Sequence, residues 1–190
     1  MDIEEAIKKR RTIRRFKQET IPSNVLKTLI DYARVAPAGN NIQAVEYVIV
    51  ESSDMRIKMF PLVRWAASLP IELRTPESGR EPTAYIIVLV NKKIKQSYYD
   101  YDVGAAVENI LLGAVSFGIG TCWMGSIKGE NIRTLLDIPD FYEIKHVISL
   151  GYPDETSVIE PYKDSFKYWK EGNEMHIPKR KLESIILKMV

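Results

Sequence analysis

Apolar residues recur at helical spacing in two segments near the start of the chain. Residues 2–9 place apolar side chains three and four positions apart behind acidic residues, which suit the positive end of a helix dipole. Residues 23–36, SNVLKTLIDYARVA, carry one apolar face and follow a proline, which predicts a second helix. The sequence APAGNN at residues 36–41 contains a proline, a glycine and two asparagines, so an irregular loop is expected after this helix.

Four other segments have the apolar composition of β-strands. They are VEYVIVE at residues 45–51, AYIIVLVN at 84–91, IGTCWMG at 119–125 and HVISLGY at 146–152. The run at 84–91 is apolar almost without interruption, which predicts a strand that is buried on both faces.

The remaining segments are predicted to be helices joined by loops. Helices are expected at 54–69, 102–117, 129–138 and 181–189, and a polar loop at 75–82. Helices and strands therefore alternate, with no internal repeat and no segment that resembles a linker between domains. We expect all 190 residues to form one layered domain of the α/β or α+β class.

Composition limits the classes of function that are open to this chain. Apolar residues make up 45% and charged residues 27%, and 27 Lys and Arg stand against 25 Asp and Glu. A net charge of +2 gives no general attraction to nucleic acid or anionic lipid, so any anion site must be local. Cys122 is the only cysteine, which excludes an intramolecular disulfide and a zinc site built on cysteine pairs. The first residues lack the apolar core of a signal peptide, so the cytoplasm is the expected compartment.

Residues 109–127 form the one segment that challenges the interpretation as a soluble protein. These 19 residues carry no charge and approach the length of a membrane span. Four glycines interrupt the segment, and Gly118 lies where a helix would end. A buried helix followed by a buried strand explains the pattern better.

Several common catalytic patterns are absent or out of order. The glycines of FGIG follow a helix and open a strand, whereas a dinucleotide-binding loop follows a strand and opens a helix. There is no G-x-S-x-G motif, and the two histidines, His146 and His176, are far apart in the sequence. His146 alternates with apolar residues in a strand and is interpreted as structural. If the protein is an enzyme, an organic cofactor is expected to carry the chemistry.

The segment KKRRTIRRF concentrates six cations in the eight residues from Lys8 to Arg15. Three explanations are open: a solvated loop, a basic arm that contacts nucleic acid, or a site for a phosphate or another anion. Arg10, Thr12 and Arg14 alternate, so an extended backbone would place two guanidinium groups and a hydroxyl on one face.

A second basic segment, PKRKL, lies near the other end of the chain. It presents Lys179 and Lys181 two positions apart. Chain termini often lie close together, so the two basic segments could hold one phosphate between them.

Five segments in this order resemble the nitroreductase family of FMN-dependent oxidoreductases. RRTIRRF is similar to its R-R-S-x-R-x-F signature, and APAGNNIQ at residues 36–43 is similar to its A-P-S-G-x-N-x-Q loop. DVGAAVENILLGAVSFGIGTCWMG resembles its long dimer-forming helix and the following glycine turn. LGYP at residues 150–153 and the basic PKRKL complete the series.

The resemblance implies an α+β fold: a three-layer sandwich with a mixed, mainly antiparallel central sheet between helices. It implies an intertwined homodimer with FMN at the interface, and NADH or NADPH as electron donor. The implied activity is ping-pong reduction of nitroaromatics, quinones or similar small-molecule acceptors, without nucleic-acid or membrane partners.

The resemblance also implies which residues contact the flavin, in four groups. The basic cluster would bind FMN from one subunit, with Arg14 at the pyrimidine edge, and the two C-terminal lysines would reach the phosphate. The loop after the second helix would come from the partner subunit, and a segment after a strand would contact the ring through backbone groups. The implied residues are Arg10, Arg11, Thr12, Arg14, Pro37, Ala38, Gly39, Asn41, Gln43, Met124, Gly125, Ser126, Lys179 and Lys181. No catalytic side chain and no metal ligand is assigned.

Some details depart from the family pattern, and other functions stay open. The family commonly has Pro-Trp after the glutamine of the loop, where this chain has Ala44 and Val45. Residues 54–82 match no family consensus; Arg64 and Trp65 there are candidates for contacting the flavin or for a surface role. The alternatives are a flavin-binding or flavin-sensing protein without turnover, a flavin-dependent dehalogenase-type relative, and a basic-arm nucleic-acid binder.

Overall fold

The computed structural model describes residues 1–190 and contains six α-helices and eight β-strands. The helices are α1 (Ile3–Lys9), α2 (Ser23–Arg34), α3 (Ser53–Met59), α4 (Ile71–Arg74), α5 (Asp100–Ser116) and α6 (Gly129–Leu136). The strands are β1 (Phe16–Lys17), β2 (Val45–Val50), β3 (Ala84–Asn91), β4 (Gly120–Met124), β5 (Tyr142–Pro153), β6 (Thr156–Pro161), β7 (Trp169–Glu171) and β8 (Glu174–Lys179).

Strands β1 to β5 form the main sheet, and all of their pairings are antiparallel. Both β3 and β4 pair with Val147–Leu150 of the long strand β5. They must therefore lie on opposite edges of β5. Strand β2 pairs only with β3 and is an edge of the sheet, and β1 pairs with the end of β5. One isolated parallel bridge joins Thr12 to Thr121, so the sheet is mainly antiparallel, as the resemblance implied.

Helices cover both faces of this sheet, which gives the expected three layers. Ile86, Val88 and Val90 of β3 pack on the core beneath α2 and α5. Tyr85, Ile87 and Leu89 alternate with them and pack on the opposite core, beside α3 and α6. The prediction that residues 84–91 form a strand buried on both faces is therefore confirmed.

Helix α5 ends where the sequence predicted. Gly118 adopts a φ of +70°, and the N–H of Ile119 returns to the carbonyl of Ala114 at 2.9 Å, which closes the helix. The uncharged segment 109–127 is thus a buried helix followed by β4, and no helix of the protein combines the length and apolar character of a membrane span.

The predicted helix over 54–69 is wrong beyond its first two turns. Helix α3 ends at Met59, and Phe60–Leu62 form a 3₁₀ turn in which Pro61 lacks the N–H that a helix requires. Val63 is extended and bridges to Ile127, and Ala66 adopts a φ of +36°. The apolar residues of this segment serve two different cores instead of one helical face.

The predicted helix over 181–189 is also wrong. Only Leu182–Ser184 form a 3₁₀ turn, and every residue from 179 to 190 is exposed. A nine-residue helix is not stable without a surface to pack against, and the single chain offers none to this segment.

A second, three-stranded sheet was not predicted. Strand β8 pairs in parallel with β6 and antiparallel with β7. Buried Met175 of β8 packs against Ala66 and Leu69, so this sheet lies on the irregular segment after α3.

Candidate functional site

The segment from Arg10 to Phe16, here called the arm, lies directly against the main sheet. The N–H of Ile13 donates to the carbonyl of Thr121 at 2.9 Å. A Cβ on Gly120 would lie 2.8 Å from Cβ of Ile13, and one on Gly151 would lie 2.7 Å from Cβ of Phe16. Only glycine permits so close an approach at these two positions, so β4 and β5 are built to receive the arm.

Arg14 is the residue of the arm with the character of a ligand-binding group. It is 8% exposed, its backbone N–H donates to Glu155 Oε1 at 2.7 Å, and its guanidinium carbon lies 5.0 Å from the centroid of the Tyr168 ring. Nε and Nη1 of Arg14 are buried and have no hydrogen-bond partner in the chain. Buried charged donors without a partner are costly, so an anionic or carbonyl-bearing ligand is expected at this guanidinium.

The neighbouring Arg15 is fully buried and has a structural role. Its Nε and Nη2 bind both carboxylate oxygens of Glu77, at 2.6 and 3.0 Å, and Nη2 also donates to the carbonyl of Leu73. The hydrogen bond from Arg15 lowers the pKa of Glu77 to about 2. The two neighbouring arginines therefore differ. Arg15 is bound to Glu77 and fixes the arm, whereas Arg14 has two donors that are free to bind a ligand.

Glu155 connects these two arginines to the second sheet. Its side chain is fully buried, and Oε2 lies 3.6 Å from Nη1 of Arg15 and 3.4 Å from Nζ of Lys170. Burial lowers the pKa of Lys170, and its neighbour Arg15 acts in the same direction. One carboxylate therefore holds the Arg14 backbone and balances two buried cations.

The first residues of the arm make local contacts. Nε of Arg10 lies 3.6 Å from Glu108 Oε1 on α5, and its side chain is partly exposed. The guanidinium of Arg11 folds back on the end of α1, where it donates to the carbonyls of Lys8 and Arg10. Thr12 forms the parallel bridge to β4. Arg10 and Thr12 are half-buried, whereas Arg14 is buried.

The loop at residues 37–43, called the flavin loop after the role that the sequence resemblance implies for it, is held in an unusual conformation. Asn40, Asn41 and Gln43 have φ values between 54° and 56°, and the amide of Gln43 donates to the carbonyl of Asn41 at 3.2 Å. Asparagine tolerates this left-handed region better than most residues, which explains the asparagine pair at this turn. Glutamine does not share this preference for the left-handed region, so the φ of Gln43 is set by the surrounding loop.

Asp102 at the start of α5 anchors the flavin loop. Its Oδ1 accepts the N–H of Gly39 at 2.9 Å, and its Oδ2 lies 2.5 Å from Nζ of Lys95. Burial acts to raise the pKa of Asp102, but the hydrogen bonds from Lys95 and Gly39 outweigh it and the pKa lies below its ordinary value. The carboxylate is therefore charged at neutral pH and ties the loop to the helix.

Pro37 and Ala38 lie in the wall between two cavities. A cavity of about 580 Å³ runs beside α2 and the edge strand β2, and Gln43 also lines it. A second cavity of about 830 Å³, here called the tyrosine cavity, lies on the other side, next to residues 94–98 and the first turn of α5.

The predicted ring-contacting segment, Met124 to Ser126, begins at the last residue of β4. Met124 is buried, Gly125 and Ser126 are exposed, and the carbonyl of Ser126 accepts the N–H of Arg64 at 3.0 Å. Nδ1 of His146 lies 3.3 Å from the position of a Cβ on Gly125 and has no partner in the chain.

His146 was not predicted to lie beside this segment. Its ring lies edge-on to that of Trp123, with 5.2 Å between the centroids, and burial lowers the pKa of the imidazole. His146 is therefore neutral at neutral pH. Its place beside the segment follows from the antiparallel register that pairs Met124 with Val147.

The two C-terminal lysines lie at and just beyond the end of the second sheet. Lys179 ends β8 and Lys181 follows it, and both are exposed. Their carbonyls accept hydrogen bonds from Tyr162 and Ser184, and their ammonium groups form no salt bridge or hydrogen bond within the chain. Both charges are thus available to a ligand or to another subunit.

The arm and the flavin loop contact different sides of α5. Gly39 binds Asp102 and Arg10 pairs with Glu108, six residues further along the helix. Six residues correspond to about 9 Å along a helix axis and about 120° around it.

The fold and the site together define a helix-covered, mainly antiparallel α+β protein with a buried arginine, Arg14, whose Nε and Nη1 have no partner in the chain. Residues 7–152 match the family model of the nitroreductase family. A protein from Archaeoglobus fulgidus named "Putative NADH dehydrogenase/NAD(P)H nitroreductase" is 32% identical over 159 residues, which cover 80% of this chain and 86% of that protein. The chain belongs to the nitroreductase family, and the resemblance stated from the sequence is confirmed.

Solved structures agree with this assignment. A nitroreductase family protein from Clostridium novyi NT has a TM-score of 0.67 and 26% identity, with 80% of this chain and 87% of that chain covered. A "putative nitroreductase" from Desulfovibrio desulfuricans, solved in complex with FMN, has a TM-score of 0.68 and 22% identity, with 100% and 98% covered. At that identity the second likeness establishes the fold.

Proposed function

We propose that the protein is a homodimeric FMN-dependent oxidoreductase that uses NADH or NADPH to reduce nitroaromatics, quinones or similar acceptors. The observation that carries the proposal is the buried guanidinium of Arg14, whose Nε and Nη1 have no partner in the chain. The A. fulgidus relative is named for an NAD(P)H nitroreductase activity, and the D. desulfuricans protein contains FMN, which supports the same cofactor and donor here.

The residues present fit FMN by the chemistry of their donors. Arg14 would bind the pyrimidine edge, and the free ammonium groups of Lys179 and Lys181 would bind the phosphate with Arg10. The other proposed contacts come from the arm, the flavin loop and the segment that begins at the end of β4. These are Arg11, Thr12, Pro37, Ala38, Gly39, Asn41, Gln43, Met124, Gly125 and Ser126.

FMN, when bound, would supply the hydride-transfer chemistry, and the chain would supply binding, orientation and charge. The overall reaction with a quinone consumes NAD(P)H and one proton and yields NAD(P)⁺ and a hydroquinone. Because Glu155 fixes the Arg14 backbone and Tyr168 covers its guanidinium, the positive charge is in place before any negative charge develops. Preorganised charge of this kind avoids the cost of reorganisation during the reaction.

Two features support a dimer with the flavin at its interface. The arm and the flavin loop lie on different sides of α5, which fits two sites that each take one of these elements from each subunit. The C-terminal segment 182–190 also exposes its apolar side chains, with Leu187 and Val190 essentially fully exposed. An exposed apolar tail of this kind marks a surface for a partner.

The binding assignment is tested by the double variant Arg10→Ala, Arg14→Ala. Loss of two charge-assisted contacts should weaken FMN binding at least about a hundredfold, measured by quenching of flavin fluorescence. Arg34→Ala is the matched control, because Arg34 is an exposed arginine paired with Asp31 outside the proposed contacts. Unchanged FMN affinity in a double variant with a native circular dichroism spectrum would refute the assignment.

Deletion of residues 182–190 tests the dimer. The truncated chain is expected to be monomeric in sedimentation and to release FMN, because the flavin loop is assigned to the partner subunit. A truncated monomer that retains tightly bound FMN would contradict an interface site.

A further inference from the structure

The tyrosine cavity is the largest concave feature that adjoins the flavin loop. It has a volume of about 830 Å³, and Pro37, Ala38 and Asn40 of the loop form one side. Tyr98, Gln96 and Tyr101 contribute to the other side. Ligand sites in proteins commonly have a volume of this size, with apolar walls and a few polar groups.

Two of the three tyrosines in the sequence YYDY are largely exposed. Tyr99 faces inward, where its hydroxyl lies 2.5 Å from Glu143 Oε2 and its ring lies under the ammonium of Lys92. Tyr98 and Tyr101 are 82% and 83% exposed, and Tyr98 has a φ of +58°, which a bulky side chain rarely adopts. The fold therefore turns one tyrosine into the structure and presents the other two to the cavity.

Hydrogen bonds through Asp102 link the wall of the tyrosine cavity to the flavin loop. Asp102 lines the tyrosine cavity and binds both Lys95, from the cavity wall, and the N–H of Gly39, from the loop. The ammonium group of Lys95 lies close to Gly39: a Cβ added at Gly39 would be 3.1 Å from Nζ of Lys95. The pair also neutralises the charge of Lys95, so the cavity wall presents no unpaired cation from this residue.

From this geometry we infer that the tyrosine cavity is the acceptor pocket, and that Tyr98 and Tyr101 select neutral planar aromatic acceptors by stacking. The inference rests on the proposed function, because it requires a flavin beside the flavin loop. Tyrosine rings supply apolar faces for a flat ring. The amide donors of Asn40 and Gln96 suit nitro or quinone oxygens, and the paired Lys95 and Asp102 give no preference for a charged acceptor.

The cavity beside α2 fits this role less well. Its charged lining includes Lys27, Asp31, Arg34 and Glu46, and its one aromatic residue, Tyr47, belongs to the main sheet. A neutral aromatic ring would meet the apolar residues of this lining but would gain little stacking there.

The test measures binding first, without turnover. Naphthalene-2-carboxamide is a planar aromatic amide that the reduced flavin cannot convert, and its Kd for the oxidised holoprotein is measured by calorimetry. Tyr98→Leu with Tyr101→Leu should raise this Kd about tenfold, because two aromatic contacts are lost. Tyr98→Phe with Tyr101→Phe should retain the wild-type Kd, since the ring faces remain. Ile57→Ala, an exposed apolar truncation on α3, is the remote control.

The second measurement compares acceptors. Flavin in each variant is reduced with dithionite, and the second-order rates of reoxidation by menadione and by ferricyanide are recorded. The ratio of the menadione rate to the ferricyanide rate should fall about tenfold in the double leucine variant and should be restored by phenylalanine.

The outcomes separate this inference from the proposed function. A wild-type protein that takes up no FMN, or whose FMN is not reduced by NAD(P)H, overturns the proposed function and this inference with it. A flavoprotein that turns over normally but shows equal Kd and equal rate ratios in wild type and the double leucine variant overturns the acceptor pocket alone. Equal losses in the leucine and phenylalanine variants would also overturn stacking as the basis of selection.

Discussion

Removing the carboxylate of Glu155 should destabilise the fold more than most single substitutions. The side chain is fully buried, accepts the Arg14 N–H at 2.7 Å and lies 3.4 Å from Nζ of Lys170. In Glu155→Ala, Arg15 would keep its two bonds to Glu77, but Lys170 would lose its only salt-bridge partner while remaining buried.

The expected magnitude follows from that geometry. Breaking a buried ion pair by removal of one partner costs about 3–5 kcal/mol of the free energy of unfolding. For a chain of this size that loss lowers Tm by about 6–20 °C. Urea unfolding of the flavin-free protein, at a fixed protein concentration, measures the free energy without a contribution from bound ligand.

Two further variants decide whether the cause is the unpaired charge. Glu4→Ala removes an exposed carboxylate paired with Lys8 and should cost under about 1 kcal/mol. Adding Lys170→Met to Glu155→Ala should recover part of the loss, because the buried cation is then removed as well. A cost below about 1 kcal/mol for Glu155→Ala, or no recovery in the double variant, would refute the assigned role of Glu155.

Two other predictions concern the arm and the acid stability. Gly151→Ala should cost about 1–3 kcal/mol, because the new Cβ would lie 2.7 Å from Cβ of Phe16, whereas Gly129→Ala meets nothing within 4 Å and should change stability by less than about 1 kcal/mol. Equal urea midpoints for these two variants would contradict the close approach of the arm. The pKa of Glu77 falls from 4.5 to about 2 in the folded protein, chiefly through its hydrogen bond to Arg15, so its contribution to stability is present above pH 4.5 and is lost as the pH falls toward 2. The difference in unfolding free energy between wild type and Glu77→Gln should therefore shrink across that range, and a difference independent of pH would contradict the pairing.

The parts of the fold that were predictable are those decided by local pattern. Residues 84–91 are apolar at every position but the last, and only a strand between two helical layers buries both of its faces. Helix α2 ends at Arg34, two residues before the predicted end, and Pro37 disfavours a helical continuation as expected.

The parts that were missed depend on contacts distant in the sequence. Strands β6 and β8 pair in parallel across the segment that contains β7, and their charged residues hide the strand pattern. The segment 181–189 has helical spacing, but no surface of the single chain receives its apolar residues. Spacing alone cannot reveal whether such a surface exists.

In the candidate site too, local pattern identified some residues, and contacts distant in the sequence hid the others. Alternation in RRTIRRF identified Arg14 as a candidate, and the structure finds its guanidinium buried with unpaired donors. Glu155 is 141 residues away from Arg14 and was not identified, because the sequence gives no sign that LGYPDE returns to the arm. The same alternation gave no role to Arg15, whose burial against Glu77 is a contact distant in the sequence.

Flavin binding and reduction are tested together by the visible absorbance of the purified protein after incubation with FMN and removal of unbound flavin. We expect a bound flavin spectrum that bleaches when NADH or NADPH is added without oxygen and returns when a quinone or nitroaromatic is supplied. A protein that stays colourless, or a bound flavin that neither donor reduces, would contradict the proposed function.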